Sequence, residues 1–100
     1  MTAGTDKPTV LIVDDEERVA NTYDLRLGTE YDTEVVLSGE QAVQAVDEDT
    51  DVVLLDRRMP GMTGDDVLEQ IRKRGFDCRV VMLTAVDPDF DIADMDIDDY

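Results

Sequence analysis

Four short runs of apolar residues punctuate the chain: Val10 to Val13, Val35 to Leu37, Val52 to Leu55 and Val80 to Leu83. A strand covered on both faces reads as a continuous apolar run, and parallel sheets flanked by helices produce such strands. Between the runs the apolar positions recur with helical period. Asp14-Asp15-Glu16-Glu17 supplies carboxylates suited to a helix N-terminus, after which Val19, Tyr23 and Leu27 form one stripe that Gly28 stops. Ser38 and Gln41 stand in capping-box spacing ahead of a second helix that turns Ala42, Ala45 and Val46 inward. A third helix follows Met59-Pro60-Gly61, packs Val67, Leu68 and Ile71, and ends at Gly75.

Strand and helix thus alternate three times before the fourth strand, the pattern of a parallel α/β sheet with right-handed crossovers. Beyond Leu83 the chain turns through Asp87-Pro88 into a weak helix near Phe90 to Met95. Ile97 to Tyr100 reads as the start of a fifth strand, so the fifth strand and last helix are expected to be incomplete. Residues 1–8 are expected to form a flexible tail and residues 9–100 one domain; 100 residues suffice for one core.

Composition narrows the partners. Nine Lys+Arg against 26 Asp+Glu give a net charge of −17, which repels a phosphate backbone and argues against direct nucleic-acid binding. Only Lys7 and Lys73 of the basic residues are lysines. An acidic shell with arginine preferred to lysine fits a halophilic protein, because concentrated salt screens the self-repulsion. The single Cys78 has no partner for an internal disulfide and adjoins an apolar run, where a small thiol packs well. No apolar stretch approaches membrane-spanning length and Met1 to Pro8 lacks a signal-peptide pattern, so a cytoplasmic protein is expected.

In open α/β sheets, ligands bind outside the carboxyl ends of the strands. Here those ends carry Asp14-Asp15 after the first run, Asp56 after the third and Thr84-Ala85 after the fourth. If the first and third strands are neighbours, three carboxylates converge, and their repulsion is relieved by a proton or a cation. Oxygen ligands without His or Cys favour a hard ion, and few carboxylates suit Mg²⁺.

These residues resemble the receiver domain of two-component response regulators. The resemblance rests on Val13-Asp14-Asp15-Glu16, on Leu55-Asp56 followed by Met59-Pro60-Gly61 and Gly64, and on Leu83-Thr84-Ala85. It implies a flavodoxin-like, doubly wound parallel sheet of strand order 2-1-3-4-5. It further implies that Asp56 is the phosphoacceptor in a Mg²⁺-dependent reaction, that Asp15 ligates Mg²⁺ directly and Asp14 mainly through water, and that the main-chain carbonyl of Arg58 completes the metal site. Thr84 would turn its hydroxyl to the phosphoryl group, Ala85 would leave the approach open, and Tyr100 would be the aromatic whose rotamer follows phosphorylation. The resemblance also implies a sensor histidine kinase or phosphotransfer protein upstream, an output protein or domain downstream, and self-modification in place of catalytic turnover. The family pattern places a Lys shortly after the switch aromatic. The sequence given stops at Tyr100, and neither Lys7 nor Lys73 stands where it could substitute. An incomplete sheet would leave its fourth strand as an unpaired edge, which makes a homodimer an expectation.

Three other readings compete. A receiver-like protein-interaction module that is never phosphorylated would keep the fold and use a helical face. Asp87, Asp89, Asp91 and Asp98 fall on a calcium-loop template, but Ile92 occupies the position that needs Gly. An aspartyl phosphatase on a similar sheet resembles its kin in a second Asp two residues past the nucleophile, and that residue is Arg58 here. Arg57 and Arg58 are expected to compensate the charge of the Asp cluster.

Overall fold

The computed structural model describes residues 7–83. Their order is β1 (Thr9–Val13), α1 (Glu17–Leu27), β2 (Asp32–Val36), α2 (Gly39–Ala45), β3 (Val52–Asp56), α3 (Gly64–Lys73) and β4 (Arg79–Leu83). All pairings are parallel and the sheet order is β2-β1-β3-β4. This is the flavodoxin-like arrangement through its fourth strand; the expected fifth strand and last helix lie outside the described residues.

Alternation along the central strands builds two cores. Val10, Ile12, Val52 and Leu54 face α1, where they meet Ala20, Tyr23 and Leu27. Leu11, Val13, Val53 and Leu55 face the other way, onto Ala42, Val67, Ile71 and Cys78. Successive side chains of a strand point to opposite faces, so β1 from Val10 to Val13 and β3 from Val52 to Leu55 are apolar at every position. Cys78 is accordingly a buried packing residue, and burial pushes its thiol up from the usual value. Fully burying one such aliphatic side chain is worth about 1.5–3 kcal/mol.

Several local details depart from the sequence pattern. β2 begins at Asp32, earlier than the Val35 to Leu37 run, and Leu37 lies past its end and is exposed. As an edge strand, it alternates exposed Asp32 and Glu34 with half-buried Thr33 and Val35, so only its end reads as an apolar run. In α1 the fully buried stripe is Ala20, Tyr23 and Leu27, and Val19 is half-buried beside it. Gly28 caps α1 in a right-handed conformation; it fits because a Cβ there would stand 2.8 Å from the Asp24 carbonyl oxygen.

The second helix is short and Val46 is its C-cap, buried but outside the helix. Ser38 Oγ accepts from the Gln41 amide at 3.1 Å, as capping-box spacing requires, while Gln41 Oε1 reaches the Leu37 amide at 3.0 Å, one residue beyond the cap. The reciprocal box forms instead on α3. Thr63 Oγ1 accepts from the Asp66 amide at 3.2 Å and Asp66 Oδ2 accepts from the Thr63 amide at 3.1 Å. At the N-terminal boundary, the Pro8 carbonyl accepts from the Asp32 amide at 2.9 Å. Among the described residues, no helix is long and apolar enough to cross a membrane.

Candidate functional site at the carboxyl end of the sheet

The chain leaves β1 toward β2 on one side and enters β3 on the other, so β1 and β3 are neighbours whose continuations diverge. Their carboxyl ends deliver Asp14-Asp15 and Asp56 to one crevice. Hydrogen bonds extend the strands to this point, from the Asp14 amide to the Val36 carbonyl (3.3 Å) and from the Arg57 amide to the Leu83 carbonyl (3.2 Å).

One carboxylate oxygen from each of Asp14, Asp15 and Asp56 lies within 4.8 Å of the others. Asp14 is 1% exposed and Asp56 9%, while Asp15 is solvent-exposed. Asp14 Oδ1 accepts from the Glu16 amide at 2.9 Å, and Asp56 Oδ1 accepts from the Arg58 amide at 3.1 Å. These bonds fix both carboxylates at the strand ends. Asp14 Oδ2, by contrast, is buried without a hydrogen-bond partner. A buried acceptor left unmet costs about 1–3 kcal/mol, more when charged, so it marks a position built for something else to fill.

Electrostatics point the same way. Burial, followed by the neighbouring Asp56 and Asp15 charges, pushes Asp14 up to about 6 despite the opposing Glu16 amide. Asp56 is raised as well, first by burial and then by Asp15, against the Arg58 amide. The site therefore stores like-charge repulsion that a proton or a cation would relieve. Its donors are all hard oxygens, on carboxylates of which two are oriented by backbone amides and one keeps an orphaned oxygen, and this set fits a small divalent ion.

The loop after Asp56 is folded tightly back. The Gly64 amide donates to the Arg57 carbonyl at 3.1 Å, and a Cβ on Gly64 would fall 2.7 Å from the Asp56 carbonyl oxygen and 2.8 Å from Arg57 Cα. Only glycine lets α3 start against the end of β3. Gly61 turns the same loop at φ 76°, a left-handed conformation that favours glycine.

Of the residues expected at the site, Asp14, Asp15 and Asp56 are brought together, and Arg58 adjoins them through its main chain while its side chain is exposed. Arg57 does not compensate the cluster. Its guanidinium lies 3.7 Å from Asp65 at the start of α3, where both side chains are largely exposed and the pair contributes little. Thr84, Ala85 and Tyr100 lie outside the described residues, as does the acidic segment that partly matches a calcium loop. One neighbour emerges only in three dimensions. The phenol of Tyr23, buried under α1, is held up by burial first and then by the charges of Asp14 and Asp56. In the sequence it signals nothing beyond a place on the helix stripe.

Comparison with known proteins follows the same lines. Residues 10–98 match the family of response regulator receiver domains. A candidate transcriptional regulator from the halophile Haloferax volcanii is 55% identical over 92 residues, which cover 91% of this chain; the chain spans only 16% of that relative's length. The N-terminal domain of a response regulator receiver protein from Methanoculleus marisnigri superposes with a TM-score of 0.73 at 34% identity, over 78% of this chain and 67% of that one. The response regulator TrrA from Thermotoga maritima, solved in complex with Mg²⁺-BeF, gives 0.70 at 32% identity over 80% and 71%. The non-phosphorylated HemR receiver domain from Leptospira biflexa gives 0.73 at 33% over 79% and 65%. With β1 and β3 carrying their aspartates to one crevice and the match running through nearly the whole chain, this protein belongs to the response regulator receiver domain family.

Proposed function

We propose that the chain is the phosphoacceptor domain of a two-component signalling protein, with Asp56 as the acceptor and Mg²⁺ held by Asp14, Asp15, Asp56 and the Arg58 carbonyl. The observation that carries this reading is the triad of carboxylates that brings one oxygen from each within 4.8 Å, together with a buried Asp14 oxygen that has no hydrogen-bond partner. The Mg²⁺-BeF complex of the TrrA relative supports it.

Bound Mg²⁺ would supply the positive charge that lets an anionic carboxylate meet an anionic phosphoryl donor. The residues do the rest. The Arg58 amide holds Asp56 Oδ1 and so fixes how the carboxylate faces the crevice. An Asp56 carboxylate oxygen attacks the phosphorus of a phosphohistidine on a kinase or phosphotransfer protein. The P–O bond of an aspartyl phosphate forms, the P–N bond breaks with its electron pair going to the imidazole, and that nitrogen takes a proton from solvent. Hydrolysis returns Asp56 to a carboxylate and releases phosphate. The chain thus modifies itself and turns over no separate substrate, which sets it apart from the phosphatase reading. Its output is a changed surface offered to a downstream protein or domain, and Thr84, Ala85 and Tyr100 are proposed as the residues that change. We assign it to the cytoplasm, where phosphoryl donors are supplied.

Incubation with a small phosphoryl donor and Mg²⁺ followed by intact mass spectrometry tests this. The parent should gain one phosphoryl group, and neither Asp56→Asn nor the parent with a chelator should. Equal gain in Asp56→Asn, or none in the parent, would favour a receiver-like interaction module that is not phosphorylated.

A further inference from the structure

Gly39 opens α2 and is buried, although nothing in its backbone asks for glycine. Gly61 and Gly75 take a positive φ, whereas Gly39 does not, and glycine is otherwise a poor helix residue. The reason is space. A Cβ on Gly39 would stand 2.8 Å from Met62 Cβ, 3.1 Å from Met62 Cγ and 2.8 Å from Val67 Cγ2. Val67 lies on α3, and truncating it removes the obstructing methyl. Met62 lies in the loop between β3 and α3, and its Cβ is fixed to the backbone, so that contact is relieved only if the loop itself moves.

That loop, residues 57–63, leads directly from Asp56 to α3. Both of its ends are tied down. The Arg57 amide donates to the Leu83 carbonyl at 3.2 Å, and the Arg57 carbonyl accepts from the Gly64 amide at 3.1 Å. The capping box holds Thr63, and Gly64 has no slack, since a Cβ there would meet the Asp56 carbonyl oxygen at 2.7 Å. Among the described residues, Met59, Pro60, Gly61 and Met62 make no backbone-to-backbone hydrogen bond. Side chains hold this span instead: Met59 is buried in the core that α2 and α3 share, and Met62 packs on that core against Gly39. The near end of the loop carries the Arg58 amide, which donates to Asp56 Oδ1 at 3.1 Å.

We infer that Gly39 is a positioning residue for Asp56: its missing Cβ lets Met62 seat against α2, and that seat sets the course of the loop whose Arg58 amide aims the carboxylate. The coupling stands on geometry; its consequence for phosphorylation rests on the reading of Asp56 as the acceptor. A side chain at position 39 pushes Met62 away from α2. With Thr63 and Gly64 fixed, the displacement runs back toward Arg58, and the Pro60 ring, which fixes φ, narrows where it can be absorbed. Rate is sensitive to such shifts, because misplacing a reacting group by about 1 Å costs on the order of 100-fold. In this way α2, which contributes no carboxylate to the triad, helps to hold the acceptor in place.

Gly39→Ala in the ¹⁵N-labelled chain, set beside the parent and Gly28→Ala, tests the inference. Gly28 is as crowded, with a Cβ position 2.8 Å from the Asp24 carbonyl oxygen, but it caps the end of α1 that leads to Asp32, the partner of Thr9 at the start of β1. Gly39→Ala should move the Arg58 amide resonance and take up a phosphoryl group from a small donor with Mg²⁺ about tenfold more slowly. Gly28→Ala should lose stability in urea and change neither readout. Met62→Gly, which unseats the loop without crowding α2, should shift the same amide and slow the same uptake, and it serves if Gly39→Ala does not fold. The two effects should not add, since each removes one seat, so Gly39→Ala/Met62→Gly should be no slower than Met62→Gly. Gly39→Ala/Val67→Ala, which relieves only the α3 contact, should keep the defect. An unmoved Arg58 amide with unchanged uptake in Gly39→Ala or Met62→Gly would overturn the proposal, as would full rescue by Val67→Ala. If the parent itself gained no phosphoryl group, the acceptor reading would fail, while the Arg58 amide, read without donor or metal, would still decide the coupling.

Discussion

Asp14 and Asp51 sit at opposite ends of the same sheet, and the protein treats them oppositely. At the amino end, Asp51 Oδ2 accepts from the Thr9 amide at 2.8 Å while the Asp51 amide donates to the Thr9 carbonyl at 3.0 Å, so the carboxylate stitches β1 to the approach of β3. At the carboxyl end, Asp14 keeps one oxygen buried and unmet, faces two further carboxylates, and is pushed up to about 6. One aspartate is spent on the fold; the other is held at the fold's expense. That contrast separates a structural acid from a functional one in a chain where acids are everywhere.

The contrast breaks most sharply on Asp14→Asn. Without divalent ions at pH 7.5 this variant should be more stable than the parent by up to about 3 kcal/mol, the value of a shift from 3.8 to about 6. Its Mg²⁺ affinity should fall at least about tenfold, since a charged ligand is lost from a site that has few. Urea unfolding and Mg²⁺ titration check both, and a variant less stable than the parent would remove the functional reading of Asp14.

The next effect is the pH dependence of that difference. The folded value of Asp14 lies above its unfolded value of 3.8, so folding favours the protonated acid. Its contribution to stability is complete below about pH 3.8 and is lost as pH rises through about 6; Asp56 is raised and acts in the same direction. The metal-free parent should therefore lose stability relative to Asp14→Asn between pH 4 and 7, and added Mg²⁺ should restore it. Melting in fixed molar KCl, where bulk repulsion is screened, isolates the effect.

Asp51→Ala should do the reverse of Asp14→Asn, costing about 1–2 kcal/mol by orphaning the Thr9 amide while leaving Mg²⁺ affinity unchanged. Smallest of the four is Thr63→Ala. It should cost about 1 kcal/mol through loss of the α3 capping box, again with no change in Mg²⁺ affinity, although α3 begins beside the site.

The sequence makes some of this legible and hides the rest for physical reasons. β1 and β3 read directly because both faces are covered and the runs Val10 to Val13 and Val52 to Leu55 are apolar without a break. β2 reads only at Val35 and Val36, because an edge strand alternates acids with half-buried residues and its first half carries no apolar run. The three aspartates are visible from their places after apolar runs, but their inequality is not. Spacing cannot tell that Asp14 is buried with an orphan oxygen while Asp15 is exposed, since both follow Val13. Nor does it show that Arg57 turns to Asp65, or that the buried Tyr23 phenol feels the charges of Asp14 and Asp56, because those placements depend on where α3 and α1 begin. Gly64 was legible only through the family pattern; its reason, a backbone approach of 2.7 Å, is geometric.

The central claim is that the crevice acts through Asp56. Borohydride reduces an aspartyl phosphate to homoserine, so treating the chain with a phosphoryl donor and Mg²⁺, reducing it, and sequencing its peptides reads the acceptor directly. Homoserine is expected at position 56 alone, absent when Mg²⁺ is chelated and sharply reduced in Asp15→Asn. Homoserine at Asp14, Asp15 or one of the surface acids, with position 56 still aspartate, would contradict it.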